Sequence, residues 1–279
     1  MRTLIEAPDL ARELEREAAG PPVTVIDVSW VLGGGRGPSL FGEGHIPGAR
    51  DVELARDLAG PPGSRGRLPL PTAAALTARL QAWGVSRGGA VVATDGGDGR
   101  ASARAWWVLR HAGVDARILD GGTAAWVDAG LMLERGAMSP RPGGDAVARF
   151  GAMPVVDWQG VRDWPTHGIL IDARSAARYE GSIETLDPRA GHIPGAVSAP
   201  ASGNLTADGR FRSPEELRDR FLQFDVVRGR DVAVYCGAAV AGAQEVAALA
   251  IAGIDAALYV GSWSEWSRRD DLPIVERDR

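Results

Sequence analysis

The chain has 279 residues, a formal net charge of −5 and a pI near 5.5, with 45% apolar and 24% charged residues. This is a globular profile, and the acidic balance argues against nucleic acid as the main partner. All 31 basic residues are arginine; the absence of lysine excludes a Schiff-base lysine and lysine-anchored pyridoxal phosphate chemistry.

Asp9 to Ala19 carries Leu10 and Leu14 at helical spacing, with Asp9 as a candidate N-cap. Pro21-Pro22 ends that helix, and Val23 to Val28 reads as a buried strand. The turn Gly44-His45-Ile46-Pro47-Gly48-Ala49 leads into Val52 and Leu54. Thr72 to Trp83 predicts a helix with Leu76, Leu80 and Trp83 on one face, and Ala90 to Thr94 a strand that stops at Asp95. After Asp95-Gly-Gly-Asp-Gly99 comes a helix through Trp106 and Trp107 with Gly113 as its C-cap. A short strand over Arg117–Leu119 follows, and Gly121 opens a further helix through Trp126.

From residue 151 the order repeats. Trp158 to Trp164 predicts a short helix and Ile169 to Asp172 a strand, and Gly191 to Ala196 repeats residues 44–49 letter for letter. Ser213-Pro214-Glu215-Glu216 is a capping box with proline at the first helical position, opening a helix to Phe224. Val232 to Tyr235 is a strand, Cys236 follows, and a helix runs to Gly253. Ala252 to Ala256 then matches Ala112 to Ala116, and Gly261 and Trp266 match Gly121 and Trp126. The six-residue identity at the same place in both halves indicates a duplication with a period of about 145 residues. Alternating strands and helices predict an α/β domain with a mainly parallel sheet in each half. The weakly periodic stretch around Pro140, Pro142, Gly143 and Gly144 reads as the linker. The expected division is a first domain over 1–136, a linker over 137–150 and a second domain over 151–279.

Aligning the strand ends sets Asp95 opposite Cys236, the only cysteine. A carboxylate cannot act as a sulfur nucleophile, so only the second half is equipped for thiol chemistry, and the first is expected to shape a cleft beside it. The small residues Gly237, Ala238, Ala239, Val240, Ala241 and Gly242 link Cys236 to the following helix. Main-chain N–H groups and a helix N-terminus at such a turn can hold an anionic sulfur.

Several stretches, taken in order, resemble the tandem-domain rhodaneses, the thiosulfate and 3-mercaptopyruvate sulfurtransferases. They are the two Gly-His-Ile-Pro-Gly-Ala turns, Ala105 to Arg110 leading to Leu119–Gly122, Asp172-Ala-Arg174, Tyr235-Cys-Gly237 and Gly261 to Trp266. The resemblance spans essentially the whole chain and implies two tandem rhodanese-like α/β domains, each a mainly parallel sheet flanked by helices. It implies that Cys236 takes a sulfane sulfur from 3-mercaptopyruvate or thiosulfate as a persulfide and passes it to an acceptor. A thiol, cyanide or a thioredoxin-like protein would serve as acceptor. It further implies that Arg178 and Arg189 bind the donor's carboxylate and carbonyl, a task suited to arginine's planar fork. His45 is a further candidate, because the first domain's turn faces the cleft in some members, whereas His192 is expected to be structural.

The loop Cys236-Gly-Ala-Ala-Val-Ala241 departs from the family's Cys-Gly-Ser-Gly-Val-Thr of the mercaptopyruvate type and Cys-Arg-Lys-Gly-Val-Thr of the thiosulfate type. Gly237 fits the first type; the hydroxyls at 238 and 241 and the glycine at 239 are replaced by alanine. The departure raises an alternative, a weakly active or non-catalytic sulfur-relay or sensing module. A phosphatase or arsenate reductase would need an arginine near residue 242, which is glycine. No cofactor is expected, and one cysteine with four scattered histidines gives no metal-ligand spacing. Met1 to Leu10 has no apolar signal region and the longest apolar stretch, Val246 to Ile254, is too short for a membrane span, so a cytoplasmic protein without membrane contact is expected.

Overall fold

The computed structural model describes residues 2–15, 21–32, 40–138 and 143–276. They fall into two compact units. The first comprises Met1–Gly60, Leu70–Met153 and Ala207–Arg210; the second comprises Pro61–Pro69, Pro154–Thr206 and Phe211–Arg279. The short proline-bounded segment Pro61–Pro69 therefore packs with the second unit although it lies in the first half of the sequence. Ala19, Pro140 and Pro142 lie outside the described residues.

The first unit begins with β1 (Leu4–Ile5), α1 (Ala7–Glu15), β2 (Thr24–Ser29) and β3 (Arg50–Glu53). It continues with α2 (Leu54–Asp57), α3 (Ala73–Ala82), β4 (Ala90–Thr94), α4 (Arg100–His111), β5 (Asp115–Leu119) and α5 (Gly122–Asp128). Its sheet order is β1-β5-β4-β2-β3 and every pairing is parallel. The second unit contains β6 (Val155–Val156), α6 (Trp158–Asp163), β7 (Ile169–Asp172), α7 (Ala176–Tyr179) and β8 (Ala196–Ser198). It is completed by α8 (Pro214–Leu222), β9 (Val232–Tyr235), α9 (Ala241–Ala252), β10 (Ala257–Tyr259) and α10 (Ser262–Trp266). Its sheet order, β6-β10-β9-β7-β8, again all parallel, reproduces the first. The repeat read from six identical residues is thus a repeat of the whole topology.

Central strands are apolar on both faces because helices cover a parallel sheet on both sides. All four residues of β9 are buried, as are four of the five in β4. Trp106 and Trp107 are buried in the first unit, and Trp263 and Trp266 in the second.

One local expectation is corrected. Asp9 is not an N-cap: α1 starts two residues earlier, and the amides of Asp9 and Leu10 both donate to Glu6 O. Pro8, with no N–H to satisfy, is well suited to that first turn, and Asp9 instead places its charge within it. The Ser213 capping box forms as expected, with Ser213 Oγ accepting from Glu216 N and Glu216 Oε2 accepting from Ser213 N. Residues 143–150 form no helix or strand but are tied to the first unit. Gly144 N donates to Gln81 O, Ala146 N to Val85 O and Arg149 N to Ala112 O.

Candidate functional site

Cys236 directly follows β9 and is 2% exposed. The turn beyond it reverses within four residues and delivers the chain to α9. Ala239 has φ +57°, the left-handed region that costs an L-residue about 1–2 kcal/mol and that glycine enters freely. The turn is held in this shape by α10. Ser262 Oγ accepts from Cys236 N (3.3 Å) and Ala239 N (3.1 Å) and donates to Tyr259 O (2.8 Å). The amides of Trp263 and Ser264 donate to the carbonyls of Cys236 (2.9 Å) and Gly237 (3.0 Å). The carbonyls of Cys236 and Gly237 are thereby engaged by α10, and that of Val240 by the first turn of α9. Among the described residues, the amides of Gly237, Ala238, Val240, Ala241 and Gly242 have no protein acceptor. The N-terminus of the twelve-residue α9 adds positive potential at the same place. A Cβ on Gly242 would stand 3.6 Å from Cys236 Sγ and 3.0 Å from Leu258, so the helix start passes close to the sulfur.

Two guanidinium groups flank the loop. A Cβ on Gly237 would lie 3.0 Å from Arg178 Nη1 and 3.1 Å from Arg67 Nη2. Arg178, on α7, donates through Nη2 to Glu184 (2.8 and 2.9 Å) and to Asp187 Oδ2 (3.2 Å). Arg67 Nη1 pairs with Asp187 Oδ1, and its amide donates to Ser264 Oγ at 3.0 Å. Burial alone would raise the pKa of Glu184, but hydrogen bonds from Arg178 and the amides of Leu186 and Asp187 hold it below the usual range.

Arg189 is employed elsewhere. Its Nε donates to Ser267 O, Nη1 to Leu272 O, and Nη2 to Trp266 O and Arg269 O, at 2.5 to 3.1 Å. Four of its five N–H groups are thus taken by main-chain carbonyls. The structure brings Arg178 to the Cys236 loop and does not bring Arg189 to the Gly237 edge.

Asp172-Ala-Arg174 and the second Gly-His turn meet beside β9. Arg174 forks onto the fully buried Asp172 (2.6 to 3.0 Å) and donates to Gly191 O at 2.7 Å. Its guanidinium lies 4.5 Å from the Trp263 ring centroid, and the hydroxyl of Tyr235, next to Cys236, accepts from Ile193 N. Asp172-Ala-Arg174 and the second Gly-His turn therefore support the strand that carries the thiol. His192 stacks on Tyr179 with Nδ1 2.9 Å from Tyr179 O, and burial holds its pKa below the usual value. His45 matches it: the ring stacks on Phe41, Nδ1 lies 2.8 Å from Phe41 O, and Nε2 is 3.7 Å from Glu134. With no exposed surface, His45 is built into its turn in the same manner as His192.

The first unit's counterpart loop is closed on itself. Asp95 Oδ1 accepts from Gly97 N and Gly99 N, and Oδ2 from Ser102 N, at 2.8 to 3.2 Å. A carboxylate thus fills its own cradle of amides, whereas the Cys236 loop keeps its amides open. Asp27 occupies the strand position of Asp172, but Ser29 stands where Arg174 does in the second unit. Burial, with Asp95 and Asp51 nearby, pushes Asp27 up to about 7.

Arg67 and Ser262 were not singled out from the sequence. Arg67 lies in a Pro/Gly-rich stretch with no periodicity. Ser262 left a faint signal, for it replaces Gly122 of the first half; both are left-handed (φ +53° and +60°). Serine tolerates that conformation here because its hydroxyl has three partners.

A model of the rhodanese-like domain matches residues 10–129 and 158–269. A Pseudomonas aeruginosa protein named a probable 3-mercaptopyruvate sulfurtransferase is 40% identical over 279 residues, covering 96% of this chain and 97% of its own. A Mycobacterium tuberculosis protein, SseB, provisionally named a thiosulfate sulfurtransferase, is 39% identical over 280 residues, covering 98% and 96%. The crystal structure of SseA from Escherichia coli, presented among 3-mercaptopyruvate sulfotransferases, superposes with TM-score 0.80 at 30% identity, covering 95% of this chain and all of that one. Among the described residues no helix is long and apolar enough to cross a membrane.

Proposed function

Because the chain belongs to the rhodanese-like family, as a two-domain member of its sulfurtransferase branch, we propose that Cys236 is its sulfur carrier. The carrying observation is the loop itself: a buried thiol at a helix N-terminus, beside the amides of Gly237, Ala238, Val240, Ala241 and Gly242, which have no acceptor among the described residues. Such a cradle stabilises an anionic sulfur without a charged side chain in the loop.

With thiosulfate, the Cys236 thiolate attacks the outer sulfur, the S–S bond breaks and sulfite leaves with the electron pair. With 3-mercaptopyruvate, the thiolate attacks the donor's sulfur and the C–S bond breaks. Pyruvate then leaves as its enolate and takes up a proton. Both routes leave a Cys236 persulfide, whose outer sulfur is taken by a nucleophilic acceptor: cyanide, giving thiocyanate, or a thiol, giving a new persulfide. The free amides of Gly237, Ala238 and Val240 to Gly242 hold the persulfide anion as they hold the thiolate. Arg178 binds the donor's anionic head; Arg189 braces the turn after α10, and His45 braces the first unit's Gly-His turn.

Relatives of nearly equal identity carry mercaptopyruvate and thiosulfate names, so the donor must be decided by assay. Gly237 and the absence of a cation within the loop favour 3-mercaptopyruvate. Turnover of the two donors, with cyanide as acceptor, tests this: the higher kcat/KM is expected with 3-mercaptopyruvate, and Cys236→Ser is expected to abolish both. Turnover persisting in that variant would refute the assignment.

A further inference from the structure

Arg67 reaches the Cys236 loop from a segment to which no motif gave a role. The segment is a tight turn closed by two main-chain hydrogen bonds, Gly63 N to Gly66 O (3.0 Å) and Gly66 N to Gly63 O (3.1 Å). Gly66 has φ +97°, and a Cβ there would lie 2.7 Å from Gly261 O and 2.8 Å from Ser264 Oγ. The turn is therefore pressed against the start of α10, the helix that shapes the loop, and the Arg67 amide is fixed to Ser264 Oγ.

The two arginines share one bracket. Asp187, whose side chain has no exposed surface, gives Oδ1 to Arg67 and Oδ2 to Arg178. That arrangement uses Nη1 of Arg67 and Nη2 of Arg178 and turns the other Nη of each toward Gly237. Both nitrogens stand within 3.1 Å of one point beside Gly237 Cα. The guanidinium-bearing side chains are 19% and 14% exposed, so a small molecule can reach them. Arg268 Nη1 lies 4.0 Å from Asp187, and Arg174 Nη1, itself paired with Asp172, lies 3.8 Å from Glu184. The cluster therefore keeps an excess of positive charge at the loop's edge.

We propose that Arg67 and Arg178 form a two-guanidinium clamp for the carboxylate or sulfonate head of the sulfur donor, with Arg67 as a further donor-binding residue. The inference deepens the sulfurtransferase reading and rests on it for the identity of the donor. A head held at Gly237 leaves the donor's sulfur to the loop amides and Cys236. Two rigid forks held at a set spacing by one buried carboxylate favour donors whose head is anionic and compact.

Binding, separated from chemistry, provides the test. In the Cys236→Ala protein, affinities for thiosulfate and for 3-mercaptopyruvate are measured by calorimetry, alone and with Arg67→Ala or Arg67→Lys added. Arg218→Ala, an exposed helix arginine paired with Glu215, is the charge control, and melting curves check folding. Arg67→Ala is expected to weaken both anions about tenfold or more, as befits a lost charge-assisted hydrogen bond. Arg67→Lys should restore part of the affinity, and Arg218→Ala should leave it unchanged. Unchanged affinity in folded Arg67→Ala, or no anion binding to the Cys236→Ala parent, overturns the clamp. The two readings fail separately. Arg67-dependent binding in a protein that never loads sulfur would sink the sulfur-transfer reading, whereas sulfur loading with Arg67-independent binding would sink the clamp alone.

Discussion

At the scale of single residues, Ala239 and Ser262 explain how a loop with three alanines keeps its shape. Alanine at φ +57° is strained, and the Ser262 hydroxyl offsets that strain by accepting the amides on either side of the turn. Ser262→Ala would leave two buried N–H groups unsatisfied and is expected to cost about 2–4 kcal/mol, read as a lowered midpoint in denaturant unfolding. Ala239→Gly should add up to about 1 kcal/mol of stability and so raise the midpoint, because the strain removed exceeds the entropy glycine adds to the unfolded chain. If Ser262→Ala unfolds like the parent, the hydroxyl is not what fixes the loop. The sequence showed that an alanine had replaced a glycine at 239; it could not show that the backbone is left-handed there. That conformation is set by α10, which follows in the chain but packs against the turn.

At the scale of elements, strands and helices were legible wherever one local rule acted alone. β4, β7 and β9 fall where continuous apolar runs put them, and α8 begins at its capping box. At the start of α1 two neighbouring residues, Pro8 and Asp9, both carry start signals, and the helix begins ahead of both, at Ala7. The family resemblance implies one role for Arg178 and Arg189, and only tertiary packing separates them: one meets the loop, the other the carbonyls after α10. Arg67 was illegible for the same reason. Its segment comes from the first half of the sequence and joins the second unit, and no periodicity records such an exchange.

At the scale of the whole molecule, the duplication yields two copies of one sheet with opposite electrostatic solutions at the critical turn. In one, an aspartate closes the cradle; in the other, a thiol leaves it open. The buried acids left by this plan set the pH dependence of stability. Asp27 in the first unit is pushed up to about 7, chiefly by burial and then by Asp95 and Asp51. Glu245, on α9 in the second, also rises to about 7 by burial, partly countered by Arg220 and Asn204. A carboxyl with a raised folded pKa binds more protons folded than unfolded, so its contribution to stability is present below the unfolded value and is lost as pH climbs toward the folded one. Stability, read as the melting temperature, is therefore expected to fall between about pH 4 and about pH 7, by roughly 3–4 kcal/mol per group. Asp27→Asn should flatten that slope; an unchanged slope would contradict the assignment.

The central claim is that Cys236 carries the sulfur, and intact-mass measurement of the whole protein tests it most directly. After incubation with 3-mercaptopyruvate or thiosulfate and removal of the donor, the protein should be heavier by one sulfur atom. Cyanide should return it to its starting mass with release of thiocyanate, and Cys236→Ala should show no gain. A protein that turns over donor without ever carrying the extra sulfur, or that carries it without Cys236, would contradict the account.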